Sequence, residues 1–344
     1  LRIYGPHEKP DGDFPNVPGH VANPENPAVL TGPIEEAKAR GDDLVMASDP
    51  DCDRLGAAAP LTLAVGASWA TFTGNQLCAL LCEQAIHGRK ARGESKPGDY
   101  VVTTIVTSGL VRRIAEAHGL TVDDTQLVGF KWICSAVDTH GPERFVFGTE
   151  ESHGYVAGTH VRDKDAAVAA LLMAEQTAAL KAAGRSPHEL LDELFVQHGC
   201  HVERQINVML PGATGMGRMK EIMAAVRATP PRSFGGLDVV RTRDQASLQT
   251  WTPGGTPTTY AGVKSDVVLF DLAGPGNGVL LPDGRFPPLG NAVAARPSGT
   301  EPKIKFYLFA VAPPCPSADL AATKARLTAQ LDAVEKDLRA LVGV

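Results

Sequence analysis

Strand-like and helix-like apolar patterns alternate along this chain, and that alternation most restricts what it can fold into. Leu44-Val45-Met46-Ala47-Ser48 is a compact apolar run that stops at Asp49-Pro50, the pattern of a buried strand running into a loop. A short helix is expected before it, over 32–40, and Thr73-Gly74-Asn75 opens a helical pattern reaching about His87. A polar stretch from Lys90 to Asp99, with Pro97-Gly98, reads as a linker. Beyond it come a strand over 100–106, helices over 110–118 and 130–137, a strand over 144–147, and an Ala-rich helix over 164–183. The last third gives strands over 201–210, 263–270 and 303–311, a helix over 216–228, and a long amphipathic helix over 320–342 introduced by Pro316-Ser317-Ala318-Asp319. The expected architecture is α/β: domains over 1–98 and 99–199 with mixed sheets, then a C-terminal α+β domain over 200–344.

Composition narrows the function classes. The chain is 43% hydrophobic and 21% charged, ordinary for a globular protein. Its formal net charge is −6 with no basic run interleaved with aromatics, so no nucleic-acid partner is expected. No apolar stretch approaches the roughly 18 residues of a membrane-spanning helix, and no membrane partner is expected. The six Cys are scattered, with no Cys-x-x-Cys pair, which fits a reducing cytoplasm. The first ten residues carry no signal-peptide pattern and no initiating Met, so the chain is expected to begin inside a longer reading frame.

Three loops carry the chemistry. Asp49-Pro50-Asp51-Cys52-Asp53-Arg54 puts three mutually repelling carboxylates directly after a buried strand. A divalent cation relieves that repulsion, and oxygen-only donors suit Mg²⁺. An acidic solvated turn and an aspartyl phosphatase loop are the other readings. Arg54 favours a site where a cation and a phosphate sit together. Gly148-Thr149-Glu150-Glu151-Ser152-His153-Gly154 groups the acceptors and donors that vicinal sugar hydroxyls need, and Lys164 follows shortly before a helix. Lys131, in Gly129-Phe130-Lys131-Trp132, is either a surface lysine or a further ligand contact. Arg296-Pro297-Ser298-Gly299-Thr300-Glu301-Pro302-Lys303 combines rigid prolines, a Gly free to take an unusual φ, two hydroxyls and a guanidinium. Such a loop is suited to holding one phosphate.

In this order, Asp-Pro-Asp-Cys-Asp-Arg, Thr-Gly-Asn, Gly-Phe-Lys-Trp, a Glu-Glu-Ser loop and Arg-Pro-Ser-Gly-Thr-Glu-Pro-Lys resemble the α-D-phosphohexomutases, most closely the long bacterial phosphoglucomutase/phosphomannomutase branch. The resemblance runs from about Pro10 to the C-terminus. It implies that Asp49, Asp51 and Asp53 hold Mg²⁺ and that Arg54 stands beside the transferring phosphoryl group. Glu150 and Ser152 would hold sugar hydroxyls, Lys131 would contact the substrate, and Lys164 a phosphate. Arg296, Ser298, Gly299 and Thr300 would hold the substrate's second phosphate. His160 is the implied acid/base residue, with His153 the alternative. Thr149 and Ala166 depart from glycines common in the family.

The implied reaction interconverts hexose 1-phosphate and hexose 6-phosphate through a bisphosphate, with glucose 1,6-bisphosphate as intermediate and activator. The family's phosphoserine sits in a Ser-His-Asn-Pro loop, which these 344 residues lack. The chain alone is therefore expected to be inactive, with the nucleophile contributed by a further N-terminal domain of the same protein. Phosphopentomutase activity, or sugar-phosphate binding without catalysis, is the alternative.

Overall fold

The computed structural model describes residues 1–275, 277, 280–282, 284–299 and 301–343. These form two compact units, one of residues 1–107 with 111–194 and one of 108–110 with the described residues from 195 on.

The first unit is α/β. Strands β1 (Val45–Ser48), β2 (Leu55–Pro60) and β3 (Trp69–Thr71) make an antiparallel sheet beside helix α1 (Thr31–Arg40). A second sheet runs β5-β4-β6-β7, from β4 (Tyr100–Thr104), β5 (Thr121–Gln126), β6 (Phe145–Glu150) and β7 (Gly154–Ala157). Its β4 pairs in parallel with β5 and β6, while β7 turns back antiparallel on β6. Helices α2 (Gly74–Ala91), α3 (Gly109–Ala117), α4 (Phe130–His140), α5 (Ala166–Ala182) and α6 (Pro187–His198) complete the helices up to residue 198. Buried Leu77, Leu80, Leu81 and Ile86 fix α2, which packs on β6 and α5. Its start is a capping box: the Thr73 hydroxyl accepts from the Gln76 amide at 3.3 Å, and Gln76 Oε1 accepts from the Thr73 amide at 3.0 Å.

The second unit is built on an antiparallel sheet ordered β12-β11-β10-β13-β14-β15-β8. The strands are β8 (Cys200–Met209), β9 (Ser233–Phe234), β10 (Leu237–Asp244), β11 (Gln249–Trp251), β12 (Thr258–Thr259), β13 (Val268–Leu272), β14 (Ala292–Pro297) and β15 (Lys303–Ala312), with β9 added on β10. Helix α8 (Leu320–Val342) lies on β8 and β15, and α7 (Gly215–Ala228) on β14 and β15. Strands followed by helices on one antiparallel sheet are the expected α+β arrangement.

Several local expectations shift. The stretch over 55–60 reads as irregular because Gly56 and three Ala have weak strand preference, yet it forms the fully buried β2. Lys90 belongs to α2, which runs on to Ala91. The strand expected from residue 263 begins at Val268, because the Val263 carbonyl accepts from the Gln245 side chain at 2.7 Å instead of entering the ladder. Helix α5 starts at Ala166 rather than Lys164, since the Asp165 carboxylate caps it, accepting from the Ala167 and Val168 amides.

Candidate active site

Asp49 directly follows β1 and is buried, and its carboxylate closes the acidic loop on itself. Oδ1 accepts from the amides of Asp53 (3.0 Å) and Arg54 (2.9 Å), and Oδ2 accepts from Arg54 Nε at 2.5 Å. The turn needs Cys52 at φ +57°, in the left-handed region. One carboxylate oxygen from each of Asp49, Asp51 and Asp53 falls within 4.8 Å of the others. Burial pushes the Asp49 carboxyl up, but hydrogen bonds from Arg54 outweigh it and hold the group below the usual carboxylate range. Asp53 goes the other way, raised by burial and by its neighbour Asp49 against the pull of Lys164.

This donor set fits a hard divalent cation. All three donors are carboxylate oxygens, and Asp51 is exposed. Asp53 Oδ1 is buried and accepts no hydrogen bond among the described residues; Arg54 Nε is 3.4 Å away. An orphaned carboxylate oxygen in a cluster of three such groups is what a metal ligand looks like without its metal. Arg54 continues outward, with Nη1 3.3 Å from Asn23 Oδ1 and 3.2 Å from Glu25 Oε1.

The Glu150 loop meets the acidic loop directly. The Leu55 amide donates to the His153 carbonyl at 3.1 Å, and His153 Nδ1 lies 2.9 Å from the Leu55 carbonyl. The Ala166 amide, opening α5, donates to the Cys52 carbonyl at 3.1 Å. Lys164 then spans both loops, its Nζ 2.9 Å from Asp53 Oδ2 and 3.9 Å from Glu150 Oε1. Burial works against the Lys164 charge, but Asp53 and Glu150 more than offset it and raise its pKa.

Glu150 is the last residue of β6 and is buried. Its Oε2 accepts from the Gly129 amide at 3.1 Å, and the Ser152 hydroxyl also supports it. Burial raises its pKa despite Lys164 and these donors.

Two glycines make this junction possible. A Cβ on Gly74 would stand 1.8 Å from the Glu151 carbonyl oxygen, so the first turn of α2 touches the loop backbone. A Cβ on Gly154 would stand 2.5 Å from Lys164 Cδ, so the lysine stem passes over that backbone. Thr149 buries its hydroxyl against the Gly154 carbonyl (3.1 Å) and Cys78 Sγ (2.9 Å), which gives a threonine its own reason to occupy the position.

The two histidines divide clearly. His153 is buried beside the acidic loop with φ +61°, and burial lowers its pKa. His160 is exposed and pairs through Nε2 with Asp165 Oδ2 at 3.0 Å. Lys131 is exposed in the first turn of α4, its Nζ 5.2 Å from the Trp132 ring centre.

In the second unit, Arg296 lies on β14 opposite Lys305 of β15. The Ser298 amide donates to the Lys303 carbonyl at 2.8 Å, and the Ser298 hydroxyl accepts from the Glu301 amide at 3.3 Å. Gly299 is exposed and does not use the unusual φ open to a glycine; a Cβ there would meet nothing within 4 Å. The two flanking prolines and the Ser298 bonds shape the turn without it. Thr300 lies outside the described residues.

Sequence reasoning passed over Gly154, Asn23 and Glu25. The first is legible only once the Lys164 stem is seen above it, and the others lie about 30 positions before Arg54. Among the described residues no single helix is long and apolar enough to cross a membrane.

Residues 1–61 match the family model for phosphoglucomutase/phosphomannomutase alpha/beta/alpha domain II, and residues 73–198 match that for domain III. A phosphoglucomutase of Staphylococcus haemolyticus is 30% identical over 300 residues, 87% of this chain and 50% of the relative. One from Staphylococcus aureus is 30% identical over 320 residues, 92% of this chain and 52% of the relative. The chain thus spans about half the length of the curated relatives it matches. Among solved structures, a phosphoglucomutase/phosphomannomutase family protein from Burkholderia thailandensis superposes with a TM-score of 0.56 at 18% identity, covering 96% of this chain and 53% of that one, a likeness of fold. Two consecutive domain models of one family, matched in order and joined by the Lys164 bridge between the acidic and Glu150 loops, identify the chain as a member of the phosphoglucomutase/phosphomannomutase family.

Proposed function

We propose that this chain provides the metal, sugar and distal-phosphate sites of a phosphohexomutase that interconverts hexose 1-phosphate and hexose 6-phosphate, with glucose as the sugar. The observation that carries the reading is Lys164, whose ammonium stands between a carboxylate of the acidic loop and the buried Glu150. One cation thereby serves both the place where a phosphoryl group would transfer and the place where sugar hydroxyls would be held.

Each residue has a role set by its surroundings. Asp49, Asp51 and Asp53 would hold Mg²⁺, which when bound supplies charge neutralisation to a phosphoryl oxygen. Arg54, anchored through Nε by Asp49, is positioned to offer a guanidinium edge to the same phosphoryl group. Glu150 accepts from a sugar hydroxyl, and Ser152 braces it. Arg296 and Ser298 bind the phosphate that does not react, with Gly299 and Thr300 completing that loop. Lys131, exposed in the first turn of α4, is assigned to the substrate as a further cation. The work is positioning and charge stabilisation, which is how phosphoryl transfer is accelerated.

A hexose bisphosphate, glucose 1,6-bisphosphate, is the proposed intermediate. The phosphoryl donor is proposed to be a phosphoserine outside these 344 residues, because no Ser-His-Asn-Pro sequence occurs within them. His160 and His153 are both retained as proton carriers: His160 is open to solvent, and His153 lies beside the acidic loop.

The test is calorimetry of glucose 1,6-bisphosphate with and without Mg²⁺, together with a coupled assay for glucose 6-phosphate formed from glucose 1-phosphate. Saturable, Mg²⁺-strengthened binding that Arg54→Ala abolishes, with no turnover by the chain alone, is the expected result. Binding indifferent to both Mg²⁺ and Arg54 would overturn the site assignment, and turnover by the chain alone would overturn the external nucleophile.

A further inference from the structure

A second cluster of metal-capable side chains lies on the first unit, built from residues the reaction does not use. Glu83 and His87 are one turn apart on α2 and share a face, while His118 follows the last turn of α3. His87 Nε2 is 2.8 Å from Glu83 Oε1, and His118 Nε2 is 2.9 Å from Glu83 Oε2. The donor atoms of all three fall within 4.8 Å of one another. The rings stand 5.4 Å apart at 88°, so their Nε2 atoms converge on one carboxylate from different directions. Glu83 lies nine positions after Gly74, about 13 Å along the helix axis, which separates this cluster from the Glu150 loop that Gly74 touches.

The donor chemistry also differs from that of the acidic loop. Two imidazoles and one carboxylate select a borderline dication of the zinc, nickel or copper type over Mg²⁺, and three protein donors leave a position for water. Glu83 and His118 are mostly enclosed, with side chains 14% and 20% exposed, whereas His87 is 59% exposed and open to an arriving ion. Lys90 Nζ lies 2.7 Å from His118 Nδ1 and can only donate to it. A neutral His118 therefore carries its proton on Nε2, aimed at Glu83. A metal at Nε2 would need that proton on Nδ1, with the exposed Lys90 side chain turned outward.

We propose that Glu83, His87 and His118 form a transition-metal site that clips α2 to the end of α3. The test is titration of Zn²⁺ into the intact chain in a large excess of Mg²⁺, so that the all-oxygen loop does not contribute, with an Asp51→Asn control. Expected is one saturable site whose affinity falls at least roughly 10-fold, the lower end of the loss of an outer-shell partner, in His118→Gln and in His87→Ala, and is unmoved by Asp51→Asn. Zn²⁺ should also raise the melting temperature of the wild type and of Asp51→Asn, but not of His87→Ala. His87 is exposed, so its variant keeps the test independent of folding. Equal affinity in the wild type and both histidine variants, no saturable site, or loss of the site in Asp51→Asn would each overturn the proposal.

Discussion

The ammonium of Lys164 stands 2.9 Å from Oδ2 of Asp53, and this pair joins the acidic loop to the segment leading into α5. Its consequence is a split between two affinities. Replacing Lys164 with Met removes a positive charge from beside the carboxylate cluster, so Mg²⁺ binding should hold or strengthen. Binding of glucose 1,6-bisphosphate should weaken by at least roughly tenfold, the loss of one charge-assisted contact. Separate calorimetric titrations of the two ligands check this, and parallel loss of both would contradict it.

Gly74 and Gly154 should respond differently to alanine. At Gly74 the new methyl meets a backbone carbonyl oxygen that cannot move without displacing the loop. Gly74→Ala should therefore destabilise the first unit by about 2–3 kcal/mol, read as a fall in denaturant midpoint. At Gly154 the methyl meets the flexible Lys164 stem. Gly154→Ala should leave stability nearly unchanged and weaken sugar-phosphate binding as Lys164→Met does.

Thr149 offers a third test. Its hydroxyl is buried and engaged with the Gly154 carbonyl and Cys78 Sγ. Thr149→Val keeps the shape and removes the donor, so the Gly154 carbonyl loses a partner, at about 1–3 kcal/mol. Thermal denaturation of the variant measures it, and a change below about 0.5 kcal/mol would show that the hydroxyl contributes only volume.

In the second unit, burial raises the pKa of Glu203 to about 7, and the Ser108 hydroxyl, which donates to it, only partly offsets the shift. The unfolded chain ionises this group near 4.5, so between those values the folded state holds the extra proton. The associated stability is present below about pH 4.5 and is lost as pH rises through about 7. Glu203→Gln should flatten the dependence of the second unit's denaturant midpoint between pH 5 and pH 8, a window taken at roughly the two ends of this titration. An unchanged slope would mean the carboxyl ionises freely in the fold.

What could be read from the sequence followed from chemistry that is local along the chain. The acidic loop, its preceding strand and the helix from Leu320 to Val342 are contiguous patterns, and they occur where expected. The missed elements failed for identifiable reasons. β2 is Gly- and Ala-rich and is held by neighbours on both sides, β1 and β3. Helix α6 did carry a signal: Ser186 and Glu189 form a reciprocal cap, with the Ser186 amide donating to Glu189 Oε2 at 2.7 Å and the Glu189 amide donating to the Ser186 hydroxyl at 3.2 Å. The surroundings of His153, Gly74 and Gly154 were not legible, because each depends on a segment far away in sequence arriving within contact.

Asp49 gives the acidic loop a kinetic character. Its two oxygens already hold two backbone amides and the Arg54 guanidinium, so the turn has its shape before any cation arrives. Filling such a loop requires no chain to fold around the ion. The time it takes is set by how quickly the ion releases its own water, so a slowly dehydrating ion such as Mg²⁺ should enter later than Ca²⁺ at equal concentration.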